Sequence, residues 1–391
     1  MLTQPYFKDG VAVPTEGWHK KSKALHKVAD SVTASSLAEL PAQMPMFEWA
    51  GVGLGKEETY RIYLAMQSLQ KEHKLLAVRF FGKLLGNKAD YIVIEARAPA
   101  DVHKPPSAAG AVPPEAPGVG LNTFCYFVAP SAADAFTVLE DVTPEQVVAS
   151  KSVRKYLTGD LSAAVFAFPA FPGAEAAYLR AQIARIAAAT VVYPAGKFAF
   201  NDDSEENPKP MIDAEEYAVP EDLTVPESWV HAYGKVLKIG RTTNPPKPEP
   251  ADGEDPPEGE EEEEVSALES IASDAAVMAF SEESELPAWS VAMYNGGYAA
   301  YGVAIAKSHR WPGAYAAIAK TGDKHACVYI GHGHENAGAA FTPRAPPPIL
   351  PESAESDEAE EAALAEENAL LKEIDEAKLL AANAEGDAAE E

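Results

Sequence analysis

Apolar positions along this chain recur with two periods, and the change from one to the other marks its elements. Across Lys56–Lys71, Ile62, Met66 and Leu69 fall at i, i+4 and i+7, with Glu57 and Glu58 in the turn where a helix dipole favours acids. This predicts a helix. Leu75–Leu85 and Tyr91–Arg97 then read as two strands around Gly86-Asn87, and Asn122–Val128 as a third. Thr143-Pro-Glu-Gln146 is a capping box with proline at the first helical position. It predicts a helix that places Ala149, Val153, Tyr156 and Leu157 on one face and closes at Gly159. A third helix is expected over Ala174–Ala188, with Leu179, Ile183 and Ile186 inward, followed by short strands at Val191–Tyr193 and Lys197–Phe200. Apolar content returns at Trp229–Ile239. Trp289–Tyr294, Tyr298–Ser308, Tyr315–Lys320 and Ala326–Gly331 read as an antiparallel meander.

These elements predict an α+β protein: an antiparallel, partly mixed β-sheet with about three packed helices, acidic disordered insertions and an acidic tail. Five segments follow. Residues 1–46 are an N-terminal extension, interrupted by Pro14, Pro41 and Pro45; 47–244 are the first part of a body; 245–265 are a Pro- and Glu-rich linker; 266–345 are the meander; 346–391 are an acidic tail, disordered or weakly helical. Within that tail Ala363, Leu370, Ile374, Ala377 and Ala381 fit a weak heptad broken by Glu367.

Charge sharpens the division. The net charge over 391 residues is −28. Residues 201–227 hold ten acids and one base, 249–264 ten acids and no base, and 352–391 fifteen acids and two bases. Those three stretches carry −32 together, which leaves +4 for the rest. The packed part is therefore near neutral, with acidic fringes that repel nucleic acid and attract basic protein surfaces. No run of 18 apolar residues suggests a membrane span, and Met1–Asp9 lacks the basic-then-apolar order of a secretory signal. Cys125 and Cys327 sit in apolar, strand-like surroundings, which suits buried thiols in a reducing compartment.

Candidate chemistry is sparse. Ala50–Thr59, with Gly51, Gly53 and Gly55 before Lys56, resembles a phosphate cradle opening a helix. A P-loop, however, needs glycine where Ala50 stands and a hydroxyl where Glu57 stands. A turn that lets Trp49 and the helix approach a neighbouring backbone is the expectation, with nucleotide binding at Gly51–Lys56 as the alternative. His332 and His334 lack a third ligand at motif spacing, so no metal or other cofactor is expected. No nucleophile elbow or zinc-protease motif occurs, so no enzyme is expected. What stands out is a set of large aromatics beside Pro and Gly: Phe47, Trp49, Phe166–Phe171, Trp229, Trp311 and Tyr315. Some are core, and the remainder are interface anchors.

Four blocks carry a resemblance. They are Phe47–Ile62, Val142–Gln146 running to Leu157–Leu161, Phe171–Ile186, and Trp311–Tyr315 followed by Tyr329–Gly331. In this order they resemble the radial spoke head proteins of the four-and-six family, over about residues 47–345. The resemblance implies a scaffold in the ciliary and flagellar axoneme without enzymatic activity. Its implied partners are a paralogous sister subunit or a second copy, hairpin-repeat head proteins and, transiently, central-pair projections, with regulation of dynein-driven bending as the outcome. The candidate interface or signature residues are Phe47, Trp49, Tyr60, Arg61, Tyr178, Arg180, Trp229, Trp311, Tyr315 and His332. Members of the family have a longer region before the first block, which leaves the role of residues 1–46 open. Some carry Trp where His332 stands, which argues against a metal there. The acidic tail remains open to a reading as a recruitment segment for a basic protein.

Overall fold

The computed structural model describes residues 36–99, 101–106, 112–168, 170–200, 211–214, 217–244, 268–281, 284–294, 302–322, 324–336 and 354–387, with short paired strands Phe7–Lys8 and Val11–Ala12. The expected linker at 245–265, residues 201–210 and most of the N-terminal extension lie outside the described residues.

A mixed sheet of nine strands organises residues 1–339, one of two compact units. In chain order its strands are β1 (Ser36–Leu37), β2 (Ala77–Leu84), β3 (Tyr91–Arg97), β4 (Cys125–Ala129), β5 (Thr137–Val138), β6 (Trp289–Tyr294), β7 (Val303–Ser308), β8 (Ala314–Ala319) and β9 (His325–Gly331). Spatially they run β6-β7-β8-β9-β2-β3-β4-β5. Every neighbouring pair is antiparallel except β9 with β2, and β1 runs parallel to the first residues of β2. Five helices are described: α1 (Leu40–Glu48), α2 (Lys56–Glu72), α3 (Pro144–Ser152), α4 (Glu175–Thr190) and α5 (Ala354–Asp387).

Strand alternation explains how the helices are distributed. On β3, Ile92, Ile94 and Ala96 face α1 and α2, while Tyr91 and Val93 face α3 and α4. On β4, Cys125 and Phe127 take the first face, and Tyr126 and Val128 the second. A bulge between Phe80 and Gly82 switches β2 midway, so Phe80 meets α1 and α2 while Phe81 turns to α4. Leu179, Ile183 and Ile186 of α4 are wholly buried, as the spacing predicts. Beside them a third apolar cluster covers β7 and β8 with Trp229, Trp289, Leu223 and Ile271.

Three departures from the sequence reading have physical causes. Pro41 does not break the chain near residue 40, because it occupies the first turn of α1, where its missing N–H costs nothing. Leu40, Met44, Met46 and Phe47 are buried from that helix. The Thr143 capping box forms, but α3 ends at Ser152, so Val153, Tyr156 and Leu157 lie beyond it. Gly159 does adopt a left-handed conformation (φ 94°), yet its role is to back onto Ala89 rather than to close α3. Helices number five among the described residues: the three expected, α1, which its prolines hid, and α5 in the tail, where helix was the alternative to disorder.

The junction of the two halves of the sheet depends on one glycine. Gly82 pairs with Tyr329 across the parallel seam, and a Cβ at this position would stand 1.9 Å from the Tyr329 carbonyl oxygen. Gly82→Ala should destabilise the fold by about 3 kcal/mol or more, beyond the usual range for overpacking, because the obstacle is backbone. Gly53→Ala, whose Cβ meets only ordinary contacts, should be near neutral. Chemical denaturation of both variants checks this, and equal midpoints would be the failing outcome.

Candidate interaction surface

Burial sorts the signature residues into two groups. Phe47, Tyr178, Arg180, Trp229 and Trp311 lie in the core, Tyr315 is half-buried, and Trp49, Tyr60, Arg61 and His332 are exposed. The sequence cannot make this separation, because an aromatic beside glycine or proline looks the same in both settings.

The buried members are fixed by specific partners. Trp229 donates through Nε1 to the Leu223 carbonyl (3.1 Å). Arg180 donates to the Leu121 carbonyl (2.8 Å) and Asn122 Oδ1 (3.0 Å), and its guanidinium lies 4.7 Å from the centre of the Tyr126 ring. Burial draws its pKa downward. Arg185 sits 5.0 Å over the Trp311 ring and pairs with Glu335; burial lowers its pKa as well, against the opposing pull of Glu335. Behind it a cavity of about 520 Å³ opens, lined among others by His231, Lys235, Trp289 and Arg310. Its acids are engaged within the protein: Asp274 by His231 (3.0 Å) and Trp289 (2.8 Å), Glu335 by Arg185.

The Gly-rich loop joins two helices, not a strand and a helix. Gly55 precedes the first turn of α2, and Glu58 is bound to Lys83 (3.0 Å). Added Cβ atoms at Gly51 and Gly55 would meet nothing within 4 Å, so the expected close approach to a neighbouring backbone does not occur there; only Gly51 (φ 72°) needs its glycine. Around this loop Trp49 is 54% exposed and Tyr60 56%, and Leu64 follows Tyr60 by one turn on the outer face of α2.

A second exposed group surrounds Tyr156, which is 51% exposed. His332 meets its ring edge-on at 5.2 Å and His334 lies at 4.7 Å, so the two histidines flank an aromatic ring. Among the described residues no three His, Cys, Asp or Glu side chains are grouped to hold a metal ion. Lys155 lies 5.3 Å over the Phe166 ring, and Phe166 and Phe168 point outward, 81% and 69% exposed.

The backbone on either side of Tyr156 is held from inside. Tyr178 Oη lies 3.2 Å from the Val153 carbonyl and 3.3 Å from that of Lys155, able to donate to one at a time. His334 Nε2 donates to the Lys155 carbonyl (2.8 Å). Glu175, the first residue of α4 and itself buried, accepts from the Thr158 amide and hydroxyl (2.9 and 2.8 Å), the Gly159 amide (2.9 Å) and Tyr91 Oη (2.7 Å). Asn87 N–H donates to the Leu157 carbonyl (2.8 Å). Tyr156 thus stands on a segment tied to α4 and to the β2–β3 turn. The sequence reading missed Glu175, and it missed Glu115, whose buried carboxylate gathers the amides of Leu121, Thr242 and Thr243. Their one legible signal is an acid inside an otherwise apolar stretch.

Glu175→Gln keeps the volume but replaces one acceptor oxygen with a donor. It should cost about 2–3 kcal/mol, the scale of hydrogen bonds to a charged group, and speed amide hydrogen exchange over residues 156–159. Exchange unchanged from the parent would show that the carboxylate does not hold this segment.

The family described as "Radial spokehead-like protein" matches residues 7–102 and 96–368. Flagellar radial spoke protein 4 of Chlamydomonas reinhardtii is 37% identical over 329 residues, covering 78% of this chain and 68% of the relative. Radial spoke head protein 4 homolog A of Homo sapiens is 30% identical, covering 95% of this chain and 60% of its own length. Radial spoke head protein 6 homolog A of Mus musculus is 31% identical, with 91% and 60% covered. The chain thus spans about three-fifths of the length of these two mammalian relatives.

Proposed function

Because this chain belongs to the radial spokehead-like family, we propose that it is a non-catalytic structural subunit of the radial spoke head in the axoneme of motile cilia and flagella. The matched relatives are named as radial spoke and radial spoke head proteins, which supports the structural role and the location.

The observation that carries the finer reading is the Tyr156 surface. Tyr156, Phe166 and Phe168 are exposed, and the backbone at residues 153–159 is held by buried groups of α4. Rigid aromatic rings bury area on association at little cost in side-chain entropy, so they suit a permanent subunit contact. Each buries roughly 150–250 Å², and a stable interface needs about 1,200–2,000 Å² in total. The three rings therefore form the centre of a contact, with neighbouring polar residues as its rim. The partner in this reading is another spoke head subunit, a sister chain or a second copy. Trp49, Tyr60 and Leu64 offer a second aromatic surface for a hairpin-repeat head protein.

Acidic segments set a different kind of contact. The stretches 201–227, 249–264 and 352–391 keep encounters with an acidic central-pair projection brief and steer those with a basic one. Contact of this kind would pass mechanical state to the dynein arms without any bond being made or broken.

Replacing Tyr156, Phe166 and Phe168 together by Ser should leave the isolated protein folded, since all three side chains are exposed, but abolish its retention in the spoke head. Ciliated cells carrying only the triple variant should show incomplete heads and impaired beating. Complete heads and normal waveform in those cells would contradict the assignment.

A further inference from the structure

The second compact unit, residues 340–391, contains α5, a helix of 34 residues. Over Glu360–Leu379 the apolar residues Leu364, Leu370, Leu371 and Ile374 are each about half exposed. At 3.6 residues per turn they fall on one side with Ala363 and Ala377, in a seam of the width that a partner helix covers and which Glu360, Glu367 and Lys378 share. Glu366 and Glu373 line one flank of this seam, and Glu361 and Asp375 the other. Across residues 354–387 there are twelve acids and two lysines. A helix of this composition buries no core of its own, and its exposed seam is the part with hydrophobic free energy still to gain.

We infer that α5 is a docking helix for a basic amphipathic helix, whose leucine-type seam packs on Leu364, Leu370, Leu371 and Ile374 while its Lys and Arg residues meet the acidic flanks. Charge selects this occupant over a second copy of α5. Pairing two copies in parallel register would set Glu367 against its own counterpart inside the seam and bring together two helices of the same strong negative charge. A basic helix relieves both penalties, since a lysine or arginine opposite Glu367 turns the interruption in the heptad into an attractive pair. The inference is independent of the Tyr156 surface and of the spoke head assignment.

The test uses the full chain and two synthetic 28-residue peptides of identical composition. One has Leu at the a and d positions with Lys and Arg at e and g, and the other has the same residues scrambled to destroy the seam. Binding is measured by fluorescence anisotropy in 0.15 M salt. The full chain should bind the amphipathic peptide at least tenfold more tightly than the scramble. The double substitution Leu370→Ser and Ile374→Ser, at exposed positions, should remove that difference while leaving the thermal unfolding of the remainder unchanged. Equal affinity for both peptides would overturn the inference, because charge alone would then account for binding. Dimerisation of the full chain, lost in the double variant and undisturbed by the peptide, would overturn it in favour of self-pairing.

Discussion

Three residues of parallel pairing hold the sheet together. Tyr329, Ile330 and Gly331 at the end of β9 pair with Gly82, Lys83 and Leu84 of β2, although nearly 250 positions separate them in sequence. On one side of this seam lie β6–β9 from late in the chain, and on the other β2–β5 from its first half. Gly82 lets the backbones approach at a point where any side chain would strike the Tyr329 carbonyl, and Phe81 makes room by bulging out of register. Both apolar clusters that contain α1, α2 and α4 cross the seam. The packing of all three helices therefore presupposes it.

From that seam the aromatic surface follows by short steps. Gly333 N–H donates to Tyr329 Oη just past the end of β9, which starts the path of His332 and His334 toward Tyr156. The β2–β3 turn receives Leu157 and Thr158, and α4 supplies Glu175 and Tyr178 from beneath. Buried carboxylates serve to gather amides, Glu175 here and Glu115 at Leu121, Thr242 and Thr243. Burying a charge is costly unless it is fully hydrogen-bonded, and Glu175 and Glu115 each meet several donors, so they fix loop geometry in a way apolar packing cannot. Tyr156 owes the fixed backbone beside it in part to the buried carboxylate of Glu175.

Much of the fold was legible in the residues. Strand alternation in Tyr91–Arg97, the helical spacing of Ile62, Met66 and Leu69, and the Thr143 capping box are local signals that survive packing unchanged. The helix at Leu40–Glu48 was not, since Pro41 reads as a breaker unless the first turn is already known and Pro45 lies inside the helix, where proline is disfavoured. The end of α3 was misplaced because the pull of Tyr178 on the carbonyls of Val153 and Lys155 comes from a helix 25 residues away in sequence. The surface itself was half legible. Aromatic identity was visible, but whether Trp229 or Phe166 faces outward depends on which element lies across from it, and that is a tertiary fact.

The most direct measurement is a photo-crosslink from position 156. A photoreactive phenylalanine analogue replacing Tyr156 in otherwise intact axonemes would sit at the centre of the proposed contact. The account predicts a single dominant crosslink to another spoke head subunit. Labelling of solvent alone, or crosslinks scattered across unrelated axonemal proteins, would contradict it.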